Sequence, residues 1–333
     1  MSENSDAPQG MDLFGSGTTP SPTLDSPLPD NVSLIPPPKR GRRLTRTPGQ
    51  RDNDLFALSM ELSQKDAKAA GTTGFLATAM VYASLPHSSV EGGFFERRNG
   101  DLNLTIMCNP RIGLPYGKIP RIVAAFLCTE AKRERSPIIS LGRSLAEFAD
   151  KLGMHNSGGE RGDTKRLREQ ATRLFCSRIQ LIGTPGSQFH WNNLDITEDG
   201  MTLWNPHTPE ERSPWESELK LSTKFFEECI AHPVPIDLRV LHALRSPLAI
   251  DIYVWLTYRL NSVTSPTPVT WKQLKWQFGS DYADDDQGLV NFVYNFRKQL
   301  RSVQAIYSEA RVGIDQYKLT LLPSKPHVLP AAV

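Results

Sequence analysis

Apolar residues are sparse up to about residue 50 and then recur with two different periods along the chain. Leu55 to Leu62 and Phe75 to Ser84 are apolar enough to predict short helices, and alternation from Phe94 to Met107 around Arg98-Asn99-Gly100 predicts a hairpin. From Gly117 to Arg135, Ile119, Ile122, Val123, Phe126 and Leu127 recur at helical spacing, and a short strand, Ile138 to Leu141, follows Pro137. Ser144 to Leu152 reads as a second helix stopped by Gly153. A Gly-rich turn, Ser157 to Gly162, leads into an amphipathic helix from Asp163 to about Arg178, then strand-like pieces at Ile179 to Ile182 and Gln188 to Trp191. Helix, strand, helix, turn, helix, hairpin is the order of a winged helix.

The same order returns downstream. Leu248 to Leu260 is helical, Pro268 to Thr270 a short strand, Trp271 to Phe278 a helix, Gln287 to Val303 a long helix, and Ala305 to Leu322 alternates around Val312-Gly313-Ile314-Asp315. SLAEFADKLG (144–153) and TWKQLKWQFG (270–279) make the repeat concrete, since each opens on a Ser or Thr N-cap and closes on Gly before the third helix. The pattern predicts an α+β chain of two tandem winged-helix domains with a disordered N-terminal tail. Residues 1–50 form that tail, 51–220 the first domain with its preceding helices and hairpin, 236–325 the second domain, and 326–333 a disordered C-terminal tail. Between the domains, 221–235 holds a helix, Ser222 to His232, expected to pack between them and to end at Pro233 and Pro235.

The two long third helices carry the candidate chemistry. On the first, Leu167, Ala171, Leu174 and Phe175 share a core-facing side, while Lys165, Arg166, Glu169, Thr172 and Arg173 lie opposite. On the second, Leu289, Phe292, Val293, Phe296, Leu300 and Val303 form the apolar stripe, and Asn291, Tyr294, Asn295, Lys298 and Arg301 look outward. Cations meet phosphates and guanine edges, and Asn pairs with the edge of adenine, so both faces suit the major groove of a duplex. A solvated face more often alternates Glu and Lys, which is the plain alternative for both helices. Arg311 is the first choice for a wing contact to phosphate, ahead of Lys318.

Charge sharpens this picture only locally. The net charge of +2 conceals an acidic segment, 1–38, without Lys or Arg, followed by Lys39, Arg40, Arg42, Arg43, Arg46 and Arg51, a basic arm or a solvated linker. Four scattered cysteines without a CxxC pair fit a reducing cytoplasm, and no apolar run is long enough to span a membrane.

Several reactions lack their residues. No GxxxxGK[ST] loop, no HxH pair and no HExxH is present, so no cofactor, metal or catalytic group is expected and the chain reads as a non-enzyme. Asp281 and Asp284 to Asp286 sit in one loop before a helix, where an acidic N-terminal cap explains them better than two-metal chemistry. Ser157-Gly158-Gly159 is a phosphate-holding turn or simply a flexible one.

GLPYGKIPR (113–121), Cys128-Thr129-Glu130-Ala131, LGRSLAEFADKLG (141–153), SPLAIDIYVWLTYRL (246–260) and LKWQFGSDY (274–282) together resemble RepA-type plasmid replication initiators, over roughly Phe94 to Leu322. The resemblance implies binding of repeated sites (iterons) in plasmid origin DNA, opening of an adjacent AT-rich segment, recruitment of the host initiator and replicative helicase, autoregulation, and copy control through a monomer–dimer equilibrium. Rival readings are a winged-helix transcriptional repressor and, from another class, a nickase or primase. In the tail, Met11, Asp12, Leu13 and Phe14 resemble the short peptide that docks bacterial proteins on the replicative sliding clamp, with Gly10 where Gln is usual.

Overall fold

A computed structural model describes residues 48–99, 102–154, 163–183, 189–202, 204, 208, 211–214 and 216–328. The expected tail, with its basic arm and Met11 to Phe14, lies outside these residues apart from the start of the first helix, as does the turn at 157–159.

Two winged helices follow one another, built from the same parts in the same order. In the first, α3 (Lys118–Glu134), β4 (Ile138–Gly142), α4 (Leu145–Lys151) and α5 (Asp163–Phe175) lead to a wing of β7 (Thr197–Met201) and β8 (Ser217–Leu221). In the second, α8 (Pro247–Leu260), β10 (Thr267–Thr270), α9 (Trp271–Phe278) and α10 (Asp286–Gln304) lead to β11 (Val312–Ile314) and β12 (Lys318–Leu321). The sheets match strand for strand, β4-β8-β7 against β10-β12-β11. Local signals set the short helices: the Ser144 hydroxyl accepts the Glu147 amide at 3.1 Å, and Thr270 forms a capping box with Gln273. Gly153, at φ 61°, and Gly279 close them.

The first wing is not the hairpin that the sequence suggests. β5 (Arg178–Gly183) and β6 (His190–Asp195) join β2 (Phe94–Asn99) and β3 (Leu102–Met107) in a separate four-stranded sheet, order β2-β3-β5-β6, inserted before the true wing. Alternation identifies a hairpin but not its partner sheet, so the insertion was not visible in the periodicity.

The segment expected as a helix from Phe75 to Ser84 divides into β1 (Thr73–Ala77) and α2 (Thr78–Tyr82). β1 is buried on both sides, and a short continuous apolar run has no period that separates strand from helix. Its partner is β9 (Pro233–Asp237), which continues the chain beyond α6 (Thr223–Ala231). Pro233 and Pro235 are tolerated because they face Ala77 and Phe75, whose amides donate instead to Cys128 Sγ (3.3 Å) and Thr129 Oγ1 (2.9 Å) on α3. The expectation that α6 packs between the domains fails: its main contacts are α3, β1 and β6, and Phe225 and Cys229 are buried there.

One continuous apolar core runs through both winged helices. α1 (Pro48–Gln64) rests on α7 (Leu238–Ala243), and α9 packs along β2.

Candidate nucleic-acid interface

On α5, Leu167, Ala171 and Leu174 are buried, as the wheel requires, while Lys165, Arg166, Arg168 and Glu169 are exposed and Thr172 is half-buried. Arg168 belongs to this surface although the sequence analysis passed over it. Arg173 turns inward, contrary to expectation. Its guanidinium donates to the Leu114 carbonyl (3.2 Å), pairs with Glu169 (2.6 Å) and lies over the Tyr116 ring. A side chain held by three intramolecular partners braces the 113–116 segment rather than reaching outward, and it engages Glu169 with it.

α10 presents a single exposed stripe of Asn291, Tyr294, Lys298 and Arg301, joined by Val290. Tyr294 is 70% exposed, an unusual position for so large a ring. Asn295 sits beside the stripe, half-buried, where its amide donates to the Tyr282 hydroxyl at 3.0 Å. The acidic loop before this helix is structural, as expected: the Asp285 side chain accepts the Gly288 amide at 2.6 Å and Asp284 pairs with Lys275 at 3.0 Å.

The second wing is fixed to that helix. The Asp315 carboxylate accepts the amides of Tyr317 (2.7 Å) and Lys318 (2.9 Å), which holds its pKa below the usual carboxylate range. The Asp315 carbonyl accepts Arg297 Nη2 from α10 (2.7 Å) and Trp271 Nε1 from the start of α9 (3.2 Å). Wing tip and recognition helix therefore move as one piece, with Tyr317 (74% exposed) and Ile314 offered at the tip. Sequence reasoning missed Tyr317, whose signal was an aromatic residue in a polar turn. The strand register places Arg311 before β11, at the base of the hairpin, apart from the Tyr317–Lys318 tip.

Two third helices of matching topology, each exposing cations on its outer side, define a tandem winged-helix protein. Residues 114–276 match the family model described as plasmid encoded RepA protein. Over that region, just under half of its length, the chain is similar to this family. The match contains α3, α4 and α5 and ends within α9, before α10. Domains 2 and 3 of RctB share the fold: one crystal structure gives a TM-score of 0.50 at 11% identity, covering 74% of this chain and 97% of that one. A second structure of the same RctB domains gives 0.47, with the same identity and coverage. No curated protein matches the chain at a significant level. Among the described residues no helix is long and apolar enough to cross a membrane.

Proposed function

We propose that this chain starts plasmid replication by binding repeated duplex sites in the origin, with α5 and α10 in successive major grooves and a footprint of about 20 bp. The observation that carries the reading is the repeated β4-β8-β7 and β10-β12-β11 architecture, each copy presenting a third helix with exposed cations. Lys165, Arg166, Arg168, Lys298 and Arg301 meet phosphates or guanines, Asn291 and Asn295 read bases, and Tyr317 and Lys318 touch the backbone beside α10. Asn295 is half-buried and donates to Tyr282, whereas Asn291, whose Oδ1 accepts Gln287 Nε2, is exposed, so Asn291 is the stronger reader.

Opening of an AT-rich segment, recruitment of the host initiator and helicase, a monomer–dimer equilibrium, autoregulation and clamp docking through Met11 to Phe14 complete the proposal. It acts by binding and not by bond cleavage, because the loop acids nearest to a metal-site pattern are occupied as cap and ion pair. Four free cysteines suit a reducing cytoplasm.

Footprinting on the DNA around its own gene tests this directly. Protection of directly repeated sites is expected, with Asn291→Ala lowering affinity for the repeat by about 1–3 kcal/mol while hardly changing affinity for scrambled duplex. Equal losses on both DNAs would remove base reading from α10.

A further inference from the structure

The inserted sheet β2-β3-β5-β6 has one face in the core and one face open. Phe95, Leu104, Ile106, Ile179, Leu181 and Leu194 point inward, and the alternate positions point out. At the β6 edge two rings lie together in the open, Phe189 at 62% and Trp191 at 64% exposure, with centroids 5.8 Å apart. Burial cannot explain a solvent-facing aromatic pair of this size.

Strand register aligns Trp191 with Ile182, Asn103 and Arg98 in one row across the face. The row covers three inter-strand gaps, about 14 Å. At its far end the Arg98 guanidinium lies 4.7 Å from the centre of the Trp276 ring, and Lys272 Nζ lies 5.5 Å from the same ring. The neighbouring row is polar, running from the exposed Glu96 through Thr105 to Gln180, whose Nε2 donates to Asn193 Oδ1 at 2.8 Å. An aromatic step, a polar middle and a cationic end are the parts by which open sheets hold unpaired bases and their phosphates.

A second protein chain fits this face poorly. The centre of the sheet is too polar to stack on another sheet. The β6 edge is already engaged, since the carbonyls of Asn193 and Asp195 accept Lys224 Nζ (3.3 Å) and Ser222 Oγ (2.6 Å) from the start of α6. The β2 side is covered by α9.

We propose that the outer face of this sheet binds single-stranded nucleic acid, with bases stacked on Phe189 and Trp191 and phosphates held by Arg98 and Lys272. The site is separate from the duplex surfaces of α5 and α10, and the proposal does not depend on them.

The test is fluorescence anisotropy of the full chain with a labelled oligothymidylate of about 20 nucleotides, run beside an unrelated duplex. Trp191→Ala should weaken oligothymidylate binding by roughly fivefold or more, and Phe189→Ala with Trp191→Ala by more still. Trp191→Phe should restore most of the affinity, and all these variants should melt like the parent and bind duplex unchanged. Oligothymidylate should also quench the tryptophan emission of the parent more than that of Trp191→Phe. Unchanged oligothymidylate affinity in the double variant overturns the proposal, as does an equal loss on duplex or a shift from dimer to monomer in sedimentation without loss of oligothymidylate. If the parent binds oligothymidylate but no duplex, the duplex reading fails and this one stands.

Discussion

Arg121 of α3 grips Asp251 of α8 by two bonds of 2.6 and 2.7 Å, joining the two winged helices through a buried ion pair. Ser84 Oγ (2.6 Å) and His87 Nε2 (2.8 Å) complete the shell of the same carboxylate. The Arg121 charge beside it holds the Asp251 carboxyl far below its usual range despite full burial. Arg121 also donates to the carbonyls of Leu85, Pro86 and Gly117, so the first winged helix supplies a rigid socket and the second a single plug.

Asp251→Ala should therefore unfold far more easily than its parent. It leaves a buried guanidinium without its counter-charge, a change that costs about 3–5 kcal/mol. Urea denaturation measures it, and the double variant Arg121→Met with Asp251→Leu should recover a large part of the loss. A single-variant loss under about 1 kcal/mol would mean that the junction is held by its apolar contacts alone.

Acid should loosen the protein before carboxylates titrate. Burial, helped by the nearby Lys118 charge, lowers the pKa of His242 to about 4, and burial likewise lowers that of His87. His87 is faced by Asp251, Arg121, Arg97 and Asp281, and its burial outweighs the pull of Asp251. Between pH 4 and 6.5 the unfolded chain holds the His242 proton that the folded chain refuses, so stability is complete above about 6.5 and falls as pH drops. At about 1.4 kcal/mol per pH unit this one residue contributes about 3 kcal/mol of the decline. Urea midpoints taken from pH 7.5 to 5 should fall steadily, and His242→Gln should flatten the curve; parallel curves would sink the assignment.

Much of this was legible in the sequence, and the exceptions have physical causes. The Ser144 and Thr270 caps, the apolar stripes on α5 and α10 and the acidic cap at Asp285 are local features, and local rules found them. Arg173 was placed outward because a helical wheel knows angle but not neighbours, and Leu114 and Tyr116 approach from nearly 60 residues away. β1 and the inserted sheet escaped for the same reason: their identity depends on partners distant in the chain. The phrases GLPYGKIPR and SPLAIDIYVWLTYRL, which carried the family resemblance, meet in space at Arg121 and Asp251. Their specificity reflects the joint between domains more than the DNA surface.

Lys165 and Arg173, about two turns apart on α5, should separate binding from bracing. Lys165→Ala should leave stability within about 0.5 kcal/mol of the parent, weaken duplex of any sequence, and reduce the salt slope of binding by about one. Arg173→Ala should lower the melting temperature by removing its bonds to Leu114 and Glu169. Thermal melts and salt-dependent anisotropy distinguish the two, and a salt-slope change for Arg173→Ala without destabilisation would return that residue to the DNA surface.

Gly288 sets the start of α10, and its replacement should detach cap from helix. A Cβ built there would lie 1.9 Å from the Ala283 carbonyl oxygen, a backbone atom that cannot swing aside as a side-chain tip can. Relief requires moving the 283–285 loop, which carries Asp284 to its Lys275 partner and Asp285 to the Gly288 amide. Gly288→Ala should thus lose the cap, typically worth about 1 kcal/mol, and incur overpacking of about 1–3 kcal/mol besides. The helix propensity of Ala, favourable by about 1 kcal/mol, does not offset both. Urea unfolding should show a net loss of about 2 kcal/mol with duplex affinity falling in parallel, because α10 carries Asn291 in its second turn after the cap. A variant as stable as the parent would show that the loop yields freely, and that the close approach of Ala283 does not constrain the recognition helix.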